Sequence, residues 1–182
     1  MAGDPTKASL WTSADVFIAP IGTPGPSDLT SPWPTSWEVV GLLNGEEGFN
    51  WGREEETSEH YAWGGLLVKR TRSKHKRQVT FVALEDNEVV FRLINPGSDR
   101  VTDTDTGITT STVKVPQPEE FAFGVELNEG LKRVRRFAKR AEVAEVGEIQ
   151  ESETAPTVYT ITVVLYPEPD GTLYTELSGN IA

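Results

Sequence analysis

At 182 residues the chain is long enough for one domain to bury a real core, and its lack of Cys excludes a disulfide framework, a thiolate nucleophile and a thiolate metal site while suiting a reducing cytoplasm. Its 28 Asp and Glu against 17 Lys and Arg leave a net charge of −11, a long-range barrier to any polyanion that makes a nucleic-acid grip the poorer reading. Residues 1–13 lack the basic start and apolar core of a signal peptide, and no stretch approaches the roughly 20 apolar residues of a membrane span.

An N-terminal arm over about residues 1–13 carries Trp11 and leads into a short strand, Val16-Phe17-Ile18. Residues 20–34 hold five Pro and two Gly, which neither a helix nor a central strand tolerates, so they predict an extended surface segment. A second strand over 37–43 ends at Asn44-Gly45, the preferred pair for a tight hairpin, and predicts a return over 46–51. Residues 53–61 hold Glu54, Glu55, Glu56 and Glu59 and read as a long projecting loop or an exposed acidic strand, ending at Trp63-Gly64-Gly65. Two strands follow, 66–71 and 78–84, with a basic run at their junction. Asp86 is placed to cap a short helix whose core face is Val89, Val90, Leu93 and Ile94, and Asn95-Pro96-Gly97 stops it.

Asp103 to Gly107 predicts a turn between strands at 100–102 and 108–115, and 121–127 predicts another strand closed by a turn at 128–130. Residues 131–148 stay ambiguous: Val134, Phe137, Ala138 and Ala141 have helical spacing, while Phe137, Ala141 and Val143 also share a strand face. The strongest strand is 157–166, with Tyr159, Ile161, Val163 and Leu165 on one face, and 173–175 returns after the turn at 167–171. About eight to ten short strands and one helix predict a mostly β fold, a sandwich or barrel with a flanking α-helix, as a single domain over 1–182.

Twelve of the 17 basic residues fall in two windows, 69–77 and 132–140, neither of which contains Asp or Glu. Basic patches in an acidic body can be satisfied by a neighbouring copy, and such complementarity sets partner and orientation, so self-assembly is the first function class to consider. A solvated strand is the plain alternative for each run. All five tryptophans, Trp11, Trp33, Trp37, Trp51 and Trp63, lie in the first 63 residues. Trp11 and Trp33 sit on arms with little local core, where aromatics commonly anchor into a partner.

Catalytic chemistry is not visible. His60 and His75 lie in polar segments without a nucleophile signature. Glu54, Glu55, Glu56, Glu59 and His60 could surround a hard cation, but a charge run is usually a solvated face. Asp103 and Asp105 resemble the start of a calcium loop, yet Ile108 stands where Gly is required and Lys114 where Glu is required. With no phosphate-cradling or zinc-hydrolase motif either, no enzyme, metal or cofactor is expected.

Three blocks together resemble a known family: Ala14-Asp-Val-Phe-Ile-Ala-Pro with Gly22-Thr-Pro-Gly-Pro, then Trp37-Glu-Val-Val-Gly-Leu-Leu-Asn-Gly-Glu-Glu-Gly, then Thr80-Phe-Val-Ala-Leu-Glu-Asp-Asn-Glu-Val-Val-Phe-Arg-Leu. In their order and spacing they are similar to the major tail tube proteins of long-tailed, siphovirus-type phages of actinobacteria, as is the closing stretch from Tyr159 to Tyr174. The resemblance implies a β-sandwich flanked by a helix, six copies closing a ring around a lumen, and rings stacked into a tube that conducts the genome without binding it. It also implies a virion location after assembly in the host cytoplasm, no membrane contact, and partnership with terminator, initiator or tip, and tape-measure proteins.

By the same resemblance residues 44–63 match a loop that reaches the adjacent ring, placing Glu46, Glu47, Phe49, Trp51, Glu54, Glu55, Glu56 and Glu59 at that contact. The basic residues Lys69, Arg70, Arg72, Lys74, Arg133, Arg135, Arg136 and Lys139 are then expected at subunit or ring interfaces, since in an acidic lumen they would grip DNA. Acidic 54–59 is expected to meet basic 69–77 of the next ring, with Trp11 and Trp33 as arm anchors. The alternatives are a monomeric β-sandwich binding module for carbohydrate or host surface, with Trp33 and Trp63 as stacking platform, and a tail-completion protein that forms a ring without a filament.

Overall fold

The computed structural model describes Asp4 and residues 7–181, so residues 1–3 and 5–6 of the expected arm lie outside the described residues. In chain order the elements are β1 (Ser13–Pro20), β2 (Glu38–Val39), β3 (Asn50–Tyr61), β4 (Leu67–Ala83), α1 (Glu88–Ile94), β5 (Asp99–Thr102), β6 (Thr109–Thr112), β7 (Glu120–Glu129), β8 (Lys132–Val146), β9 (Tyr159–Leu165) and β10 (Thr175–Asn180). The main sheet runs β2-β1-β7-β8-β9-β4-β3 with β10 added to β8, and β5 and β6 form a separate hairpin. The fold is mostly β with one short helix, as the patterning predicts.

β8 makes the sheet double over. Its residues 132–137 pair with β10 and its residues 141–146 pair with β9, while β7 runs along the other edge. Phe121 of β7 faces Ala141 of β8 and Phe123 faces Ala138, so β8 carries an extra residue there, and a second irregularity follows between Val143 and Glu145. Such bulges bend a strand and increase its twist. One layer is then β2-β1-β7-β8-β10 and the other β8-β9-β4-β3. Val16, Ile18, Phe123 and Val125 of the first pack against Val79, Phe81, Ile161 and Val163 of the second, and the Phe81 and Phe123 rings stack at 6.1 Å. On the far side, Val40 donates to the Val16 carbonyl, and Asn44 and Leu84 make reciprocal bonds with Val82 and Leu42. The segment after β2 thereby bridges β1 to β4 and closes the sandwich toward a barrel.

The bulge also explains the ambiguity at 131–148, which is strand. One extra residue shifts the side-chain phase, so Val134, Ala138 and Ala141 all reach the core from a strand at a spacing that mimics a helix. Four further expectations are corrected. Residues 37–43 and 46–51 form no hairpin, because β2 pairs with β1 and β3 with β4, and Asn44 to Gly48 is a compact turn. The two strands expected at 66–71 and 78–84 are one strand of 17 residues running through the basic run. α1 is capped by Asn87, whose side chain accepts from Val90 N–H, while Asp86 pairs with Arg100. The chain after β9 returns against β8, not β9.

β9 covers β4 only from Arg77 to Ala83. Beyond that point β4 has only β3 beside it, and the two leave the body as a hairpin roughly 30 Å long at about 3.3 Å per residue.

Candidate assembly surfaces

The hairpin brings the acidic run and the first basic run onto adjacent strands. Glu59 faces Arg70, Glu56 faces Ser73 and Glu54 faces Lys76 in register. Ion pairs follow: Lys74 with Glu56 at 2.9 Å, Arg70 with Glu59 at 3.7 Å, Arg72 with Glu55 at 3.8 Å and Lys76 with Glu54 at 3.7 Å. Opposite charges across a ladder each contribute a few tenths of a kcal/mol and suppress slippage. Glu54 to Glu59 thus pair with the basic strand of their own chain, where the expectation is the basic run of the next ring. Burial pushes the Glu55 carboxyl up, but Arg53 and His75 on either side outweigh it and hold it below its ordinary range. Lys74, at φ 56, and His75 together oppose Glu55, a bulge that twists the shank.

The second basic run is also engaged within the chain. Arg135 is 2 % exposed and sits 2.7 Å from Glu126, with its guanidinium donating to the Asp28 and Ser31 carbonyls at 2.8 Å. Arg133 donates to the Leu29 carbonyl and lies 3.3 Å from Glu126. Arg136 pairs with Glu176, Lys139 with Glu168 and Arg140 with Glu120. These side chains fasten the Pro-rich segment and β10 to β8. The segment's own turn is set by Asp28, which accepts from the backbone and hydroxyls of Ser31 and Thr30 and is held far below the usual carboxylate range by those bonds.

Trp33, expected as an arm anchor, folds back on its own sheet. Its ring stacks on Phe17 at 4.2 Å, meets Trp37 edge-on at 5.0 Å, and its N–H donates to Glu126 at 2.8 Å. Gly124 makes room for it: a Cβ there would lie 2.5 Å from the Trp33 ring. Trp11 is half-buried against the main core under the Lys132 ammonium, 5.3 Å from its ring centroid. Within 44–63, Glu46 and Glu47 are exposed in a turn, Phe49 packs on Phe81, and Trp51 lies against Tyr174 with Arg77 and Arg136 beside it.

What the chain leaves open is the hairpin tip. Trp63 is fully exposed, with Tyr61, Leu66, Leu67 and Val68 exposed beside it, and Lys69 is exposed on the adjoining strand. The sequence singles out Trp63 but not Tyr61, Leu66, Leu67 and Val68, although an apolar residue before Gly64-Gly65 between two charged runs signals a hairpin tip. The structure does not bring Trp33 and Trp63 together, so the stacking platform of the binding-module alternative is not assembled. His60 and His75 converge on no catalytic group, and the described residues contain no cluster of His, Asp and Glu able to hold a metal ion.

Among solved structures, the sheath/tube terminator of the extracellular contractile injection system PVC, in its extended state, aligns over 91% of this chain and 94% of its own with TM-score 0.50 and 11% identity. The PVC sheath-tube complex aligns over 91% and 88% with TM-score 0.48 and 10% identity, and the tube-terminating cap of the anti-feeding prophage over 98% and 100% with TM-score 0.47 and 12% identity. The first of these shows a shared fold. No curated protein sequence matches the chain. The sequence profile described as phage tail tube protein matches residues 1–181, which spans every element described above, and the chain belongs to the phage tail tube protein family, a structural class.

Proposed function

We propose that the protein is the repeating subunit of a phage tail tube, six copies forming a ring and rings stacking into the conduit for genome ejection. The observation that carries this reading is the family match over residues 1–181. The fold supports it in three ways. Among the described residues β3 presents an outer edge free of any strand of its own chain, as does β10, and edges of that kind pair with other chains. The hairpin projects away from the body with an apolar tip. Because nine of the twelve basic side chains in the two windows pair with carboxylates of the same chain, much of the remaining acidic excess of a −11 chain is free to line a lumen and repel phosphates.

On this reading 1–182 is one domain, the tail is of the long, siphovirus type, and terminator, initiator or tip, and tape-measure proteins complete it. The protein is made in the host cytoplasm and resides in the virion. Negative-stain electron microscopy of the concentrated protein at low and moderate salt tests the proposal. Uniform tubes with a central channel are expected. Single rings that never stack would favour a tail-completion role, and monomers under all conditions, including with an initiator complex, would overturn the reading.

A further inference from the structure

β4 has an apolar feature near each end. At its start stands the Trp63 tip; beyond its last residue, Ala83, the chain enters α1. There α1, the end of β1 and the start of β7 enclose a cavity of about 430 Å³, inside the range of roughly 300–1,000 Å³ that accepts a compact apolar group. Its floor is Ile18, Leu93, Pro96, Pro118, Phe121 and Val143. Seventeen residues of strand at about 3.3 Å each put tip and cavity roughly 50 Å apart, so a chain does not reach its own cavity.

We propose that Trp63 of one copy plugs the cavity beside α1 of the next copy along the tube; this rests on the tail-tube reading and names its docking contact. The cavity has room for the indole, and polarity matches on both sides. The charges match as well. Residues 53–77 contain seven Lys and Arg against four Glu, a net +3 within a chain of −11. The cavity rim carries Glu38, Glu119, Glu120 and Glu142; Arg92 pairs with Glu38 and Arg140 with Glu120, which leaves the rim acidic through Glu119 and Glu142. A positive shank with an apolar tip therefore meets an acidic rim around an apolar floor. Tip and cavity are different surfaces, so the contact is heterologous and repeats along an axis without closing on itself, as stacking requires. The internal ion pairs of the shank keep the hairpin straight enough to deliver the tip.

The absence of native Cys makes a crosslinking test direct. Full-length protein carrying Trp63→Cys and Gln117→Cys, the latter at the cavity lining, is concentrated past the higher assembly threshold expected for loss of the indole and then oxidised. A ladder of covalent oligomers is expected, whereas each single variant stops at dimers and a Trp63→Cys, Glu153→Cys control gives no ladder. In parallel, Trp63→Ala is expected to raise the protein concentration needed for tubes by roughly tenfold or more, as loss of a central aromatic anchor does. Its melting temperature should stay at the wild-type value, since the side chain is fully exposed. Tubes of Trp63→Ala at the wild-type concentration, or wild-type-like tubes of the double variant without a ladder, overturn the docking contact and leave the tail-tube reading standing. Failure of the unaltered protein to form tubes overturns both.

Discussion

Replacing Arg135 by Met is the sharpest test of how the Pro-rich segment is held. The side chain is 2 % exposed and its partner Glu126 10 % exposed, 2.7 Å apart. Breaking such a pair from one side costs about 3–5 kcal/mol, because a buried charge is left behind. Glu126 keeps Trp33 N–H at 2.8 Å and Arg133 at 3.3 Å, and the freed carbonyls of Asp28 and Ser31 lie on a surface segment where water reaches them. The lower end, about 3 kcal/mol, is therefore expected, or a drop of roughly 6–12 °C in melting temperature for a chain of this size. Arg135→Met with Glu126→Gln removes the stranded charge while keeping an acceptor for Trp33, and it should recover much of that loss. Urea unfolding below the assembly concentration, read by circular dichroism and by tryptophan fluorescence, measures both. A single variant within about 1 kcal/mol of wild type, or a double variant no better than the single, would refute the reasoning.

Three further outcomes are expected. Reversing Arg70, Arg72 and Lys74 to Glu sets like charges opposite Glu59, Glu55 and Glu56; hydrogen exchange should show protection lost in the distal hairpin and kept at 79–83, and uniform protection would contradict the cross-strand pairing. Burial, and then the facing Glu126, raise the Asp15 carboxyl above its ordinary 3.8, so its contribution to stability is present below that value and lost as pH rises through the folded one. Asp15→Asn should then melt above wild type at pH 7 and level with it at pH 3, and the reverse ordering in a pH series of melts would refute the sign. Gly124→Ala drives a methyl into the Trp33 ring, with 2.5 Å to its nearest atom, and should cost about 1–3 kcal/mol with loss of the near-ultraviolet signal of the Trp33 and Trp37 pair; an unchanged spectrum would count against that packing.

The sequence by itself determined the strands at 16–18 and 121–127 and the one within 157–166, because short apolar runs bounded by turn residues, and in the last case alternation, act locally. It determined a short helix after residue 86, the lack of thiolate chemistry and the segregation of charge. The partners of those strands were decided only by the tertiary structure. Whether Asn44-Gly45 folds a local hairpin depends on whether the residues after it find a better edge elsewhere, and β4 offers Asn50 and Trp51 one, opposite Thr80 and Val79. The strand at 132–146 was hidden because a bulge carries no composition signal and moves the apolar period toward that of a helix. The roles of Arg135 and Trp33 were hidden for a related reason: charge and aromaticity predict exposure or a partner, and only the fold places Glu126, Gly124 and Phe17 where they satisfy both within one chain. Local patterning marks strands whose apolar runs are unbroken and turns rich in Gly, Pro, Asn and Asp, whereas the contacts that choose between a self-satisfied charge and one left for a neighbour span about a hundred residues of chain, a distance over which no sequence period reaches.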